Sequence, residues 1–228
     1  SIDNAIKYFF NQLQKNNTYD SSLIAISADH GENLFENNKG HGHGEHLFGE
    51  EVLKVPFILK LQNKFKKPPT HILNITRSID IMPTLLGLIT PAKSKLKINN
   101  FKISKGLDLS KWIVKKSQTF PKLWAYSETG LWYSKSHSNI KNRLPYPGIN
   151  SLLLFDPGKS GDIIMRPSLE KKMITTKHRS LIEECYKLIY EPSLSGVRFS
   201  LYNRCLDPSN NKKLNKVLPK VYQEMKDK

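Results

Sequence analysis

Apolar residues recur at helical spacing near the start of the chain. Ile6, Phe9, Phe10 and Leu13 share one stripe, Asp3 offers an N-cap and Asn16-Asn17 a stop, so the spacing predicts a helix over 3–16. Leu23 to Ala28 is instead a short, nearly unbroken apolar run. That is the pattern of a strand buried on both faces, as in a parallel sheet. Helix, turn and buried strand make one unit of an α/β fold. A second apolar run, Val55 to Leu61, predicts another strand. Ile79 to Ile89 predicts a short helix, with Pro83 tolerable in its first turn and Gly87 near its end. Residues 90–105 are Lys-rich and loop-like.

From about residue 119 the texture changes to short strands with long connections. Leu123–Glu128, His178–Ile182, Tyr186–Tyr190 and Arg198–Tyr202 read as strands, the last three in an antiparallel sheet. Residues 130–170, with Pro145, Pro147, Gly148, Pro157, Gly158, Gly161 and Pro167, read as a long irregular excursion. Its aromatics Trp132, Tyr133 and Tyr146 are candidates to wall a pocket or to anchor the loop. The tail over 212–226 has weak helical periodicity. A hairpin centred near Ser195 puts Cys185 and Cys205 equidistant from the turn and nearly opposite each other. They are therefore expected to lie close, near enough for an oxidising compartment to permit a disulfide without requiring one.

Composition changes this picture little. With 228 residues, 38% hydrophobic and 25% charged, the chain can bury a core. No apolar run approaches the ~20 residues that span a bilayer. The chain starts at Ser1, which predicts coding sequence upstream. The net charge is +16, but the lysines are scattered and no nucleic-acid motif accompanies them, so solvated charge is favoured over a nucleic-acid partner. Neither cysteine sits in a C-x-x-C pair, which weakens a zinc or redox reading.

The chemistry sits just after the first predicted strand. Asp29 and His30 fall at its carboxyl end, where ligands bind in parallel α/β sheets. Adjacent Asp and His can reach one cation if the chain turns sharply, which Gly31 would permit. In isolation this D-H-G would be read as a helix cap and a surface histidine. It is followed, however, by Glu32 and by Gly40-His41-Gly42-His43-Gly44-Glu45-His46. Such a tract is either a chelator or a contact to an oxyanion that glycines let approach closely.

Ser27-Ala28-Asp29-His30-Gly31-Glu32, then Gly40-His41-Gly42-His43, then Glu50-Glu51-Val52-Leu53-Lys54-Val55-Pro56-Phe57-Ile58, together resemble the sulfatase family pattern. The similarity continues in order. It runs through Ile79-Asp80-Ile81-Met82-Pro83-Thr84-Leu85-Leu86, Lys105-Gly106-Leu107-Asp108-Leu109 and Ala125-Tyr126-Ser127-Glu128. It closes with Tyr186-Lys187-Leu188-Ile189-Tyr190, Leu201-Tyr202-Asn203 and Asp207-Pro208. Lys54 stands where that pattern has Arg, and Gly49 where it has Tyr. Each piece is weak; six in the right order are a strong signal.

The resemblance implies the C-terminal portion of an α/β, alkaline-phosphatase-like mixed sheet flanked by helices over 1–118. A small antiparallel subdomain with a terminal helix would follow over 119–228. It implies that Asp29 and His30 are metal ligands for one divalent cation, with calcium favoured over magnesium or manganese. His43, or failing that His41, would contact the ester oxyanion. The family nucleophile is a formylglycine made from Cys or Ser in a C/S-x-P/A-x-R motif, which is not in this sequence and is expected upstream.

The implied function is a sulfuric ester hydrolase that works with the N-terminal half of the same protein. The rival enzyme readings are a phosphodiesterase, a phosphonate hydrolase or a phosphoethanolamine transferase of the same superfamily, and the non-enzyme reading is a degenerate sulfatase or a glycan-binding module. Export of many relatives leans toward a periplasmic or extracellular site.

Overall fold

The computed structural model describes residues 1–36, 41–44, 46–65, 71–90, 105–114, 119–130, 148–156, 158 and 161–228. In chain order the elements begin with α1 (Ile2–Lys15), β1 (Ile24–Ser27), β2 (Asn33–Leu34), β3 (His41–Gly42), β4 (Phe57–Lys60) and α2 (Ile81–Ile89). They continue with α3 (Ser110–Val114), β5 (Trp124–Glu128), α4 (Ile149–Leu152), β6 (Leu153–Phe155), β7 (Ile163–Met165) and α5 (Pro167–Thr176). The last are β8 (Arg179–Glu183), β9 (Tyr186–Ser193), β10 (Gly196–Asn203) and α6 (Pro219–Lys226). By packing they form two units, Ser1–Ala28 with Pro56–Leu123, and Asp29–Val55 with Trp124–Lys228. No helix among the described residues is long and apolar enough to cross a membrane.

In the first unit α1 starts from Ser1 rather than from Asp3. Asp3 lies in its first turn and Lys15 in its last, each complementing the helix dipole. The strand expected between parallel neighbours is β1, and its described neighbour is antiparallel β4, with Ile24 opposite Lys60 and Ser27 opposite Phe57. Burial alternates along β1 instead of being continuous. An apolar run cannot report strand direction, because the same residues suit either ladder. The helix predicted over 79–89 is a 3-10 turn at Ser78–Asp80 running into α2, with Pro83 in the first turn. Asp80 is buried and holds this entry together. It accepts from Arg77 Nε (2.9 Å) and Nη2 (2.7 Å) and from the N–H of Leu107 (2.7 Å). The Lys-rich stretch 91–104 lies outside the described residues.

The second unit is built on the antiparallel sheet β10-β9-β8-β5. Leu188, Leu201 and Met225 form its buried apolar centre, with Leu214, Leu218 and Val221 of the tail packed against them. The hairpin register pairs Gly196 with Ser193, which puts its centre between Leu194 and Ser195. Continued outward, this sets Arg204 opposite Cys185, and the Arg204 N–H donates to the Cys185 carbonyl at 2.8 Å. The two cysteines are joined, with Cα atoms 5.2 Å apart. They are thus diagonal by one residue rather than directly opposed. The excursion expected over 130–170 is regular in its second half. Gly148–Thr176 contains α4, the β6–β7 hairpin and α5, gathered around Leu152 and Met173. Pro167 opens α5 at its first position, where the missing N–H costs nothing. Trp132, Tyr133 and Tyr146 lie outside the described residues.

His178, just before β8, is 4% exposed, and burial pushes its imidazole down to about 4 from the usual 6.5. A folded pKa below the unfolded one means that the unfolded chain binds the extra proton. The contribution is therefore complete above pH 6.5 and is lost as pH falls toward about 4. Urea unfolding across this window should show stability falling by at most ~1.4 kcal/mol per pH unit from this group. His178→Phe should flatten that slope, and an equally steep slope in the variant would contradict the assignment.

Candidate metal and oxyanion site

The two predicted ligand segments meet in a short antiparallel ribbon. β2 and β3 pair Asn33 with Gly42 and Leu34 with His41. The same register, carried one step back, sets Glu32 opposite His43, and cross-strand neighbours interact directly. His43 Nδ1 lies 2.7 Å from Glu32 Oε2. A carboxylate only accepts, so Nδ1 carries the hydrogen. The His30 ring stacks on the His43 ring, with centroids 3.7 Å apart and planes 23° from parallel. His30 Nδ1 is 2.9 Å from the Gly31 carbonyl, also an acceptor only. The neutral ring therefore presents a bare Nε2.

That Nε2 lies 3.6 Å from Asp29 Oδ2. Two donors each about 2.0–2.5 Å from one ion stand at such a separation, so the pair fits a shared cation. Asp29 Oδ1 accepts from the His30 N–H at 3.0 Å. This hydrogen bond, with the imidazole beside it, holds the Asp29 carboxyl below its usual range, in the ionised form a ligand needs. Donor atoms of His30, Glu32 and His43 also lie within 4.8 Å of one another. The donor set therefore combines imidazole nitrogen with carboxylate oxygen, which suits a divalent cation of mixed preference.

Asp29, His30 and His43 are thus brought together. His41 is not: it sits in β3 with its ring 5.4 Å from that of Phe35 and does not join the cluster. His46 is buried beside Phe48 instead. Glu45 lies outside the described residues. Sequence reasoning gave Glu32 no role, and only the register of the β2–β3 ribbon reveals one. Asn33, 1% exposed, leaves both amide atoms without a hydrogen-bond partner among the described residues.

Gly31 was expected to provide a sharp turn. Its φ is not left-handed, and its role is close approach. Its N–H donates to the Val52 carbonyl at 3.2 Å, and a Cβ at this position would collide with the backbone carbonyl of Glu51. The absence of a side chain thus lets the segment before β2 lie flat on residues 51–52, which sets where His30 points.

These features define an alkaline-phosphatase-like α/β fold carrying a histidine–carboxylate cluster. Residues 1–91, which include the cluster, match the Sulfatase family model. Among curated proteins none matches the sequence. Solved structures match nearly all of the chain. The yidJ protein of Bacteroides fragilis, described as a candidate sulfatase, is 17% identical with a TM-score of 0.64, over 98% of this chain and 38% of that one. A protein solved with its substrate D-glucosamine-2-N,6-O-disulfate is 17% identical with a TM-score of 0.62, over 99% and 37%. The phosphonate monoester hydrolase of Agrobacterium radiobacter is 15% identical with a TM-score of 0.62, over 99% and 38%. At these identities the likeness is one of fold, and the chain spans less than two-fifths of each of these structures.

Gly31→Ala should cost about 1–3 kcal/mol by overpacking against residues 51–52, read as a shift in the urea midpoint. Unchanged stability would show that the approach is looser than the geometry indicates. Asp29→Ala and His30→Ala should each weaken Mn2+ binding, followed by the loss of free-ion electron paramagnetic resonance signal on titration. Equal affinity in wild type and both variants would place the cation elsewhere.

Proposed function

We propose that this chain is part of a metal-dependent sulfuric ester hydrolase, with Asp29 and His30 as ligands of one divalent cation and His43 as the contact to the ester oxyanion. The observation that carries this reading is the convergence of those three side chains, with Glu32, inside the segment of sulfatase type. A cation held here would neutralise negative charge on the sulfuryl oxygens. Calcium is the cation proposed first, with magnesium and manganese as alternatives, since carboxylate oxygen suits all three.

The remaining work falls to the chain's own groups. Glu32 accepts the Nδ1 hydrogen of His43 and so fixes which ring nitrogen faces away from it. His43 Nε2 is then the atom available to donate to a substrate oxygen when the ring is protonated. The glycines on either side, Gly42 and Gly44, hold left-handed backbone and add no bulk, which lets a ligand come near. The nucleophile, a formylglycine, is proposed to lie upstream. Both cysteines of this chain are taken up in a disulfide, and neither could be its precursor. That disulfide also supports an exported protein, since such bonds persist in oxidising compartments.

The second reading, a phosphonate or phosphate ester hydrolase, is favoured by the phosphonate monoester hydrolases among the structural matches. The coding sequence ahead of Ser1 separates the alternatives. A C/S-x-P/A-x-R motif supports the sulfatase reading, a lone Thr favours transferase chemistry, and neither leaves a non-catalytic protein. Residues 1–228 alone should not turn over an aryl sulfate, and turnover by the purified chain would refute the upstream nucleophile. In the protein with its upstream segment, His43→Ala should lower kcat for p-nitrophenyl sulfate by about 100-fold or more, the usual weight of one oxyanion contact. A phenyl phosphonate turned over faster than the sulfate would shift the assignment to the second reading.

A further inference from the structure

Among the described residues of the second unit, the Lys187 side chain in β9 has no exposed surface. Its Nζ donates to the Gly49 carbonyl at 2.6 Å and lies 3.5 Å from Glu50 Oε1. Arg204 grips the other carboxylate oxygen of Glu50, with Nε at 2.7 Å and Nη2 at 2.5 Å from Oε2. The Gly49 N–H donates to Asn210 Oδ1 at 3.0 Å. Both backbone groups of Gly49 and Oε2 of Glu50 are therefore hydrogen-bonded by residues more than 130 positions away, and Glu50 Oε1 is ion-paired to one of them. A buried ion pair is often no more stabilising than apolar residues of the same size. Its distinct contribution is a single register, because a buried charge displaced from its partner is costly.

The register set here is that of the segment bearing the candidate site. From Glu50 the chain turns on itself, Leu53 and Lys54 donating to the Glu50 carbonyl at 3.1 and 2.8 Å. Val52 then accepts from Gly31, the residue after His30. On the other side, His46 and Leu47 are buried three and four residues after His43. The path from the sheet to His30 thus runs through the side-chain contacts of Gly49 and Glu50, the short turn from Glu50 to Val52, and the bond from Gly31 to Val52.

We infer that Glu50, Lys187 and Arg204 are positioning residues that hold the Asp29–Val55 segment on the antiparallel sheet and so keep His30 and His43 stacked. Their relevance to a cation rests on the functional reading above, but the stacking does not. The disulfide Cys185–Cys205 brackets the clamp, since Cys185 precedes Lys187 by two residues and Cys205 follows Arg204.

The test uses the 228-residue chain and its Lys187→Met and Glu50→Gln variants. Amide hydrogen exchange and ring-proton contacts between His30 and His43 are read by NMR. Lys187→Met should speed exchange of the Gly31 and Gly49 amides ~10-fold or more while those of Ile189 and Phe199 in the sheet change by less than ~3-fold, the signature of local rather than global opening. The His30–His43 ring contact should weaken in parallel. Glu50→Gln, which keeps the shape and removes the charge, should give a smaller effect of the same pattern. If Gly31 protection and the ring contact survive both substitutions, the clamp is overturned. It is also overturned if sheet and segment lose protection together, which is what a purely structural pair would do. Mn2+ titration of the same samples separates the two readings. Variants that show the expected exchange pattern, with a wild-type chain that binds no Mn2+, would count against the metal assignment and leave the clamp standing.

Discussion

An ammonium with no exposed surface needs its partners in place, and for Lys187 those partners are the carbonyl of Gly49 and the carboxylate of Glu50. Stranding a buried charge costs about 3–5 kcal/mol. The Asp29–Val55 segment therefore has one docked position in which this cost is offset and few near it. The ribbon of β2 and β3, the approach of Gly31 to Val52 and the stack of His30 on His43 all hang from that attachment. Loops are ordinarily the variable part of a fold. Here the loop bearing the histidine–carboxylate cluster is tied to Lys187 and Arg204, each more than 130 residues downstream.

The same arrangement explains why the site pairs unlike roles. His30 directs Nδ1 at its neighbour's carbonyl and Nε2 toward Asp29. His43, stacked on it, directs Nδ1 at Glu32. One imidazole thereby turns Nε2 toward a carboxylate and the other turns Nε2 away from one, in rings stacked 3.7 Å apart. Histidines in the same tract that lack those partners take other work: His41 lies by Phe35 and His46 is buried beside Phe48.

Much of the fold was readable from the chain. The helix at the start, the Pro-containing helix α2 and the four strands β5, β8, β9 and β10 were all placed within a few residues, because each has a clear period or a clear stop; the helix expected over 212–226 from a weak period is confined to Pro219–Lys226. Strand direction was not readable. β1 looks like an interior parallel strand, and its described neighbour is antiparallel. The second half of the 130–170 stretch was also misread, since its Pro and Gly residues punctuate short regular elements instead of excluding them. Pro167 starts a helix and Gly161 sits between two paired strands.

By itself the sequence determined which residues could do chemistry and where the chain turns from one element type to another. Asp29, His30 and His43 are chemically distinctive, and hydrophobic period is a local property. Only the tertiary structure decided the partnership of Glu32 with His43, which depends on a ribbon register. It alone showed that Gly31 is there for a close approach and not for a turn. It alone gave Lys187, Glu50 and Arg204 a common purpose. Those facts are contacts between residues 11 to more than 150 positions apart. A local pattern carries no information on such pairs, because the free energy that selects them is released only when distant surfaces are buried together.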